Sequence, residues 1–491
     1  MSENSQGDTT RELRCAIIGA GLSGIMSAIK FARAGYRDVV IYEKADRIGG
    51  TWRENTYPGV ACDVPSHLYS YSFAPNPDWS RLFSPGHEIQ AYIESIAARF
   101  DVGSKIRFGE EVTRCEFVDG AWSLETSSGR RDRADVVIAA TGVTHHPKLP
   151  DLPGLSSFGG ACFHSARWDH DVVVDGRRVG IIGTGSTAAQ LVAALVERVS
   201  ALRVFQRTAQ WIMPQENSEY APEQRAFFAK RPDKLNGLRA ELWRRFAENF
   251  SDAVIDVDSP QLKIIENTCR AHLEQQVADP LLREKLRPNY RAACKRLIVS
   301  GDFYRAIQRP NTKLITEAIG SIEPSGVRTG DGELHELDVL VLATGFRTDR
   351  FIRPTEVFGR ERRRLEDVWG GRPTAYYSVA LPHFPNFFLL NGPSSPVGNF
   401  SLIEVAELQM DYILQLLEPI RLGHCREVSP TEQAAASFEA ARVEATKNTV
   451  WTTGCDSWYL DDRGVPASWP WTLARFRAEM ATPIQAAFER R

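Results

Sequence analysis

The chain has 491 residues, 43% hydrophobic and 25% charged, a balance that fits a folded, water-soluble protein and a length that exceeds one ordinary core. Lys and Arg number 59 against 62 Asp and Glu, and the net charge of -3 excludes a global basic field directed at nucleic acid or anionic membrane. No apolar run reaches membrane-spanning length, and the first fourteen residues read as a disordered polar leader and not a secretory signal; the expected setting is cytoplasmic, with small-molecule partners and a monomer or homodimer.

In chain order, the first predicted element is a short apolar strand, Cys15–Ile18. A loop with Gly19, Gly21 and Gly24 follows, then a helix over Leu22–Ala34 and a strand over Val39–Tyr42 that ends at Glu43. The glycines allow a tight turn and bring backbone close to a pyrophosphate that the helix N-terminus favours. Glu43 lies 24 positions after Gly19 (43 minus 19), where a carboxylate can accept from ribose hydroxyls. Gly49, Gly50, Thr51, Trp52, Tyr57, Pro58, Gly59 and Asp63 then form a glycine-rich aromatic stretch suited to a flat ring system. Asp63 is its inward charge, or else an ordinary turn or cap aspartate. A helix over His87–Arg99 and strands at Ile106–Phe108, Val112–Phe117, Trp122–Thr126 and Asp135–Ala140 complete this part. The last strand runs into Ala140-Thr141-Gly142, and Val339–Gly345 ends the same way, which resembles what two-dinucleotide flavoenzymes show where the chain crosses between nucleotide domains.

The second unit predicts a strand at Val179–Ile182, a loop with Gly183, Thr184, Gly185 and Ser186, a helix over Thr187–Val199 and a strand at Leu202–Phe205. Arg207 occupies the place of Glu43, again 24 positions on (207 minus 183). A guanidinium grips a ribose phosphate that a carboxylate repels, so the first unit reads as an FAD site and the second, with Thr208 beside it, as an NADPH site. From Glu216 to about Arg291 the chain is helical and charge-rich, read as a solvated face. Strands at Lys313–Glu317 and Val339–Ala343 resume the second unit; Phe387–Leu390, the loop Asn391–Asn399 and a helix from Ser401 to about Leu417 return to the first. Eight cysteines, none in a C-x-x-C pair, exclude a thioredoxin-reductase-type redox disulfide and a structural zinc site, and no metal is expected.

Between the two units Phe158, Gly160, His164, Trp168 and Asp169 fit F-x-G-x-x-x-H-x-x-x-W-[P/D] in a segment that reads as a hinge belonging to neither. This pattern resembles the fingerprint of type I Baeyer–Villiger monooxygenases, flavoenzymes that use NADPH and O2 to turn ketones into esters or lactones through an oxygen adduct at the flavin C4a carbon. The run from Gly49 to Asp63 and Gln206-Arg207-Thr208 resemble the same family. The resemblance implies an α/β fold of two Rossmann-like dinucleotide-binding domains, for FAD and NADP, with a helical insert. Its expected boundaries are 1–145 and 346–491 for the FAD domain with a C-terminal lid, 146–215 and 301–345 for the hinge and NADP domain, and 216–300 for the insert. It implies further that Asp63 orients a catalytic Arg296, that Lys295 assists with the 2′-phosphate, that Trp458 covers the nicotinamide, and that His164 couples the domains. The chain departs from the family after Tyr459, where Leu460–Pro466 replaces a glycine-containing run ending in G-K. A nitrogen- or sulfur-oxidising flavin monooxygenase and a non-catalytic nucleotide-binding flavoprotein remain as other readings.

Overall fold

The computed structural model describes residues 11–396, 398 and 400–491. Two five-stranded parallel sheets organise it. The first runs Phe387–Leu389, Val136–Ala139, Cys15–Ile18, Val39–Tyr42, Ile106–Arg107, and the second Ala161–His164, Val339–Leu342, Arg178–Ile182, Ala201–Phe205, Thr312–Ile315. In each, the strand before the glycine loop is central and its helix, Leu22–Arg33 or Ser186–Leu195, follows at once. Inner strands such as CAII, VVIA and VLVL are buried throughout, which is why they read as continuous apolar runs and not as alternation.

The segment read as a hinge is a strand of the second sheet. Ala161–His164 pairs in parallel with Val339–Leu342 at the sheet edge, matching the place of Phe387–Leu389 in the first. Gly160 is required there because a Cβ would collide with the Asp338 carbonyl. The two crossings between sheets are hydrogen-bonded to each other instead: Pro147 and Phe346 form an antiparallel bridge, Lys148 N donates to Gly345 O (2.9 Å) and Arg347 N to His146 O (2.9 Å).

The insert contains four helices, Pro222–Lys230, Pro232–Phe246, Pro260–Gln276 and Pro280–Lys285, each begun by a proline that fits the first helical turn. Its face is only partly solvated. Arg244 and Arg245 pair with Glu241 in the open, but Arg239 turns inward to the His67 carbonyl and Ser70 hydroxyl, and Trp243 and Phe246 pack edge-on against Phe400. Three further departures from expectation concern polar strands: Arg131–Ala134, Glu356–Phe358 and the antiparallel set Ile319–Glu323, Gly326–Thr329, Leu334–Glu336. Of the expected leader, residues 1–10 lie outside the described residues, whereas Arg11 and Arg14 are fixed by ion pairs to Asp135, Asp38 and Asp132. Among the described residues no helix is long and apolar enough to cross a membrane.

Candidate functional site

An open cavity of about 1180 Å³ lies against the first glycine loop, lined by Gly19, Gly21, Glu43, Gly50, Trp52 and Asn391 among others. Gly24 sits so close to Gly19 that a side chain would strike its carbonyl, which seats the helix tightly on the strand. Gly21 and Gly50 face one another, a Cβ on Gly50 coming within 3.1 Å of Gly21 Cα. Gly21 caps the helix with no side-chain acceptor, so the backbone N–H groups of its first turn face the loop. Glu43 is buried: Oε2 accepts from Ala20 N (2.8 Å), and Oε1 from Ala45 N (2.9 Å) and Arg53 (3.1 Å). Of roughly four acceptor positions on a carboxylate, three are taken by protein, leaving one for a ribose hydroxyl. Asn391 Oδ1 is buried without a partner, and Thr51 meets Thr144 (3.3 Å) across the cavity. A glycine slot, an uncapped helix start and an orphaned amide oxygen fit an extended dinucleotide. Val397 and Asn399, in the loop Asn391–Asn399, lie outside the described residues.

In the second module Gly185 caps its helix at Ser186 in the same way, and no atom lies within 4 Å of where a Gly185 Cβ would stand. Thr184 is occupied structurally, its hydroxyl donating to Thr208 O (3.0 Å). Arg207 is 88% exposed, with Asp456 at 3.9 Å. Lys295 lies over the Tyr290 ring at 5.3 Å; partial burial lowers its pKa, and Asp456 and Arg207 are the charges near enough to act on it. Two cations thus share one exposed carboxylate, an arrangement open to an anion.

The fold brings Asp63 and Arg296 together across 233 residues. Arg296 Nε donates to Oδ2 (3.2 Å) and an Nη to Oδ1 (2.7 Å), the paired fork geometry of a strong charged contact. Burial works to lower the guanidinium pKa, but the Asp63 carboxylate and the Tyr459 phenol outweigh it and hold the group firmly charged. Asp63 is therefore no mere turn aspartate. Tyr69, which lines the cavity, accepts from Trp52 Nε1 (3.2 Å), and Asp63 and Arg296, which do not line it, are near enough to act on its phenol.

His164 is buried and its tautomer is set by its partners. Nδ1 accepts from Ala166 N (3.1 Å), so Nε2 carries the proton and donates to Gly345 O (3.0 Å), with burial lowering the pKa. Phe163 meets Trp168 edge-on at 5.1 Å, Phe158 packs on the second sheet, and Asp169 accepts from Asp171 N (3.0 Å) in a local turn at the surface. Fingerprint residues therefore act on the sheet edge and the crossing, away from the charged pair. Trp458 is 41% exposed and stacks on Tyr459 at 4.0 Å. A disulfide joins Cys294 to Cys455, a pairing of distant cysteines that no spacing rule announces.

The profile of the Flavin-binding monooxygenase-like family matches residues 12–254. A Baeyer–Villiger monooxygenase of Streptomyces coelicolor is 38% identical over 484 residues, covering 98% of this chain and 92% of that one. The chain belongs to the Baeyer–Villiger monooxygenase family. An uncharacterized monooxygenase of Mycobacterium tuberculosis is 48% identical over 468 residues, 95% of this chain and 94% of that protein. Among solved structures, cyclohexanone monooxygenase from Rhodococcus sp. Phi1 bound to NADP+ superposes with a TM-score of 0.87 at 31% identity, covering 98% and 100% of the two chains. This Baeyer–Villiger family member thus carries the family's two parallel-sheet modules over nearly its whole length.

Proposed function

We propose that this protein is an NADPH- and O2-dependent monooxygenase that converts ketones to esters or lactones on a bound FAD. The observation that carries the reading is the forked Asp63–Arg296 pair behind Tyr69 of the cavity wall. A bound flavin supplies hydride acceptance and oxygen activation. Gly19, Gly21, Gly24, Glu43 and Gly50 to Trp52 hold its nucleotide; Gly183 to Ser186 and Thr208 receive NADPH, Arg207 and Lys295 take its 2′-phosphate, and Trp458 screens the nicotinamide. On this reading 1–145 and 346–491 form the FAD domain, 146–215 and 301–345 the hinge and NADP domain, and 216–300 the insert. Arg296 is the catalytic cation: fixed and charged before substrate arrives, it stabilises negative charge on oxygen as a carbonyl is attacked, without reorganising. Asp63 sets its orientation.

Purified protein supplied with FAD, NADPH and a panel of linear, cyclic and aryl ketones and sulfides tests this by product mass. Ketones gaining one oxygen support it; oxidation of sulfides alone selects the heteroatom reading, and no substrate-dependent NADPH consumption rejects both. Arg296→Ala is expected to lower ester formation about 10²- to 10³-fold, and unchanged ester formation removes Arg296 from the chemistry.

A further inference from the structure

Arg296 is gripped from more than the Asp63 side. An Nη donates to the Gly398 carbonyl, and the Tyr459 hydroxyl is near enough to the guanidinium to act on its charge. These contacts converge on one spot: a Cβ on Gly398 would collide with the Tyr459 hydroxyl and ring, so that hydroxyl fills the space where a side chain would stand. Tyr459 is itself buried, stacked on Trp458 at 4.0 Å and tilted against Trp451 at 5.4 Å. The disulfide ties the two segments covalently, Cys294 lying two residues before Arg296 and Cys455 four before Tyr459.

A guanidinium has five N–H groups. Asp63 accepts from two and Gly398 from one, which leaves two for other acceptors. The Asp63 fork fixes the plane along one edge only. Resting on the proposed function, we infer that Tyr459 is a positioning residue for Arg296, holding the opposite edge so that the remaining N–H groups keep a single direction.

Tyr459→Phe removes the hydroxyl and keeps the ring between its tryptophans, so a packing role alone would leave it silent. In the FAD-loaded enzyme, ester formed per NADPH consumed is expected to fall about tenfold, as positioning losses typically do, with hydrogen peroxide making up the difference and the ketone KM little changed. Independently of turnover, arginine modification by phenylglyoxal with peptide mass mapping should label Arg296 several times faster in the variant than in the wild type. Wild-type coupling together with wild-type labelling overturns the inference. Faster labelling in a protein whose wild type oxygenates no ketone supports the clamp and rejects the proposed reaction instead.

Discussion

Glu43 and Arg207 stand at one place in two modules of one plan, yet their surroundings are opposite. Glu43 is buried and already fastened to two backbone amides and to Arg53, whose own side chain is 8% exposed. Arg207 projects into solvent beside an equally exposed Asp456. One cradle is finished by the protein itself; the other ends in an exposed guanidinium with a carboxylate 3.9 Å away. That contrast suits a resident cofactor in the first and an exchanging one in the second.

The strongest way to break the contrast is Glu43→Ala. It leaves the Ala20 and Ala45 amides without an acceptor, while Arg53 keeps Glu54 (2.9 Å) and the Arg47 carbonyl (2.8 Å). The loss of about 3 to 5 kcal/mol, at roughly 1 to 3 kcal/mol for each unsatisfied donor, is read as a lower urea midpoint together with loss of flavin retention. A variant as stable as the wild type would show that the cradle closes without this carboxylate.

Acid should sharpen the contrast next. His145, on the cavity wall, and His67, under the insert, are both lowered to about 4, chiefly by burial, with His146 and Arg239 respectively adding to it. Both are neutral in the folded chain. Above pH 6.5 folded and unfolded forms bind the same protons there; between 6.5 and about 4 only the unfolded chain takes them up, so stability falls with pH in that window. Discounted for the partial exposure of His145, the two amount to about 2 to 4 kcal/mol, measurable as urea midpoints that are flat above pH 6.5. His67→Phe should remove part of the slope.

The smallest effect belongs to the open module. Arg207→Ala should raise the NADPH KM about tenfold, the loss of one charged hydrogen-bonded contact of roughly 1.4 kcal/mol, while leaving the NADH KM and the urea midpoint nearly unmoved. A fall in stability would mean that the exposed arginine serves the fold.

Legibility in the sequence followed the same division. Cys15–Ile18, Val39–Tyr42 and Val339–Leu342 are buried on both faces and announce themselves as apolar runs, and Gly19 and Gly183 both adopt positive φ as their turns require. Ala161–His164 escaped as a strand because it is an edge, with a single fully buried residue and no clean period. Arg131–Ala134 and Leu334–Glu336 are polar strands defined by antiparallel partners, information that lies in the pairing and not in the run. Asp63 and Arg296 were reached only through resemblance, since nothing local links residues so far apart. The inward turn of Arg239, the Cys294–Cys455 bond and the Tyr459 clamp arise from packing between segments, which no single stretch encodes.

The ribbon where Lys148 and Arg347 exchange backbone bonds with Gly345 and His146 ties the two sheets at one place. Bonded side by side through two backbone hydrogen bonds, the crossings share a load that either would otherwise carry alone. His164 pins one end of this ribbon to the second sheet. The two sheets are therefore tethered by a doubled strand, and a strain on either crossing is felt by its neighbour.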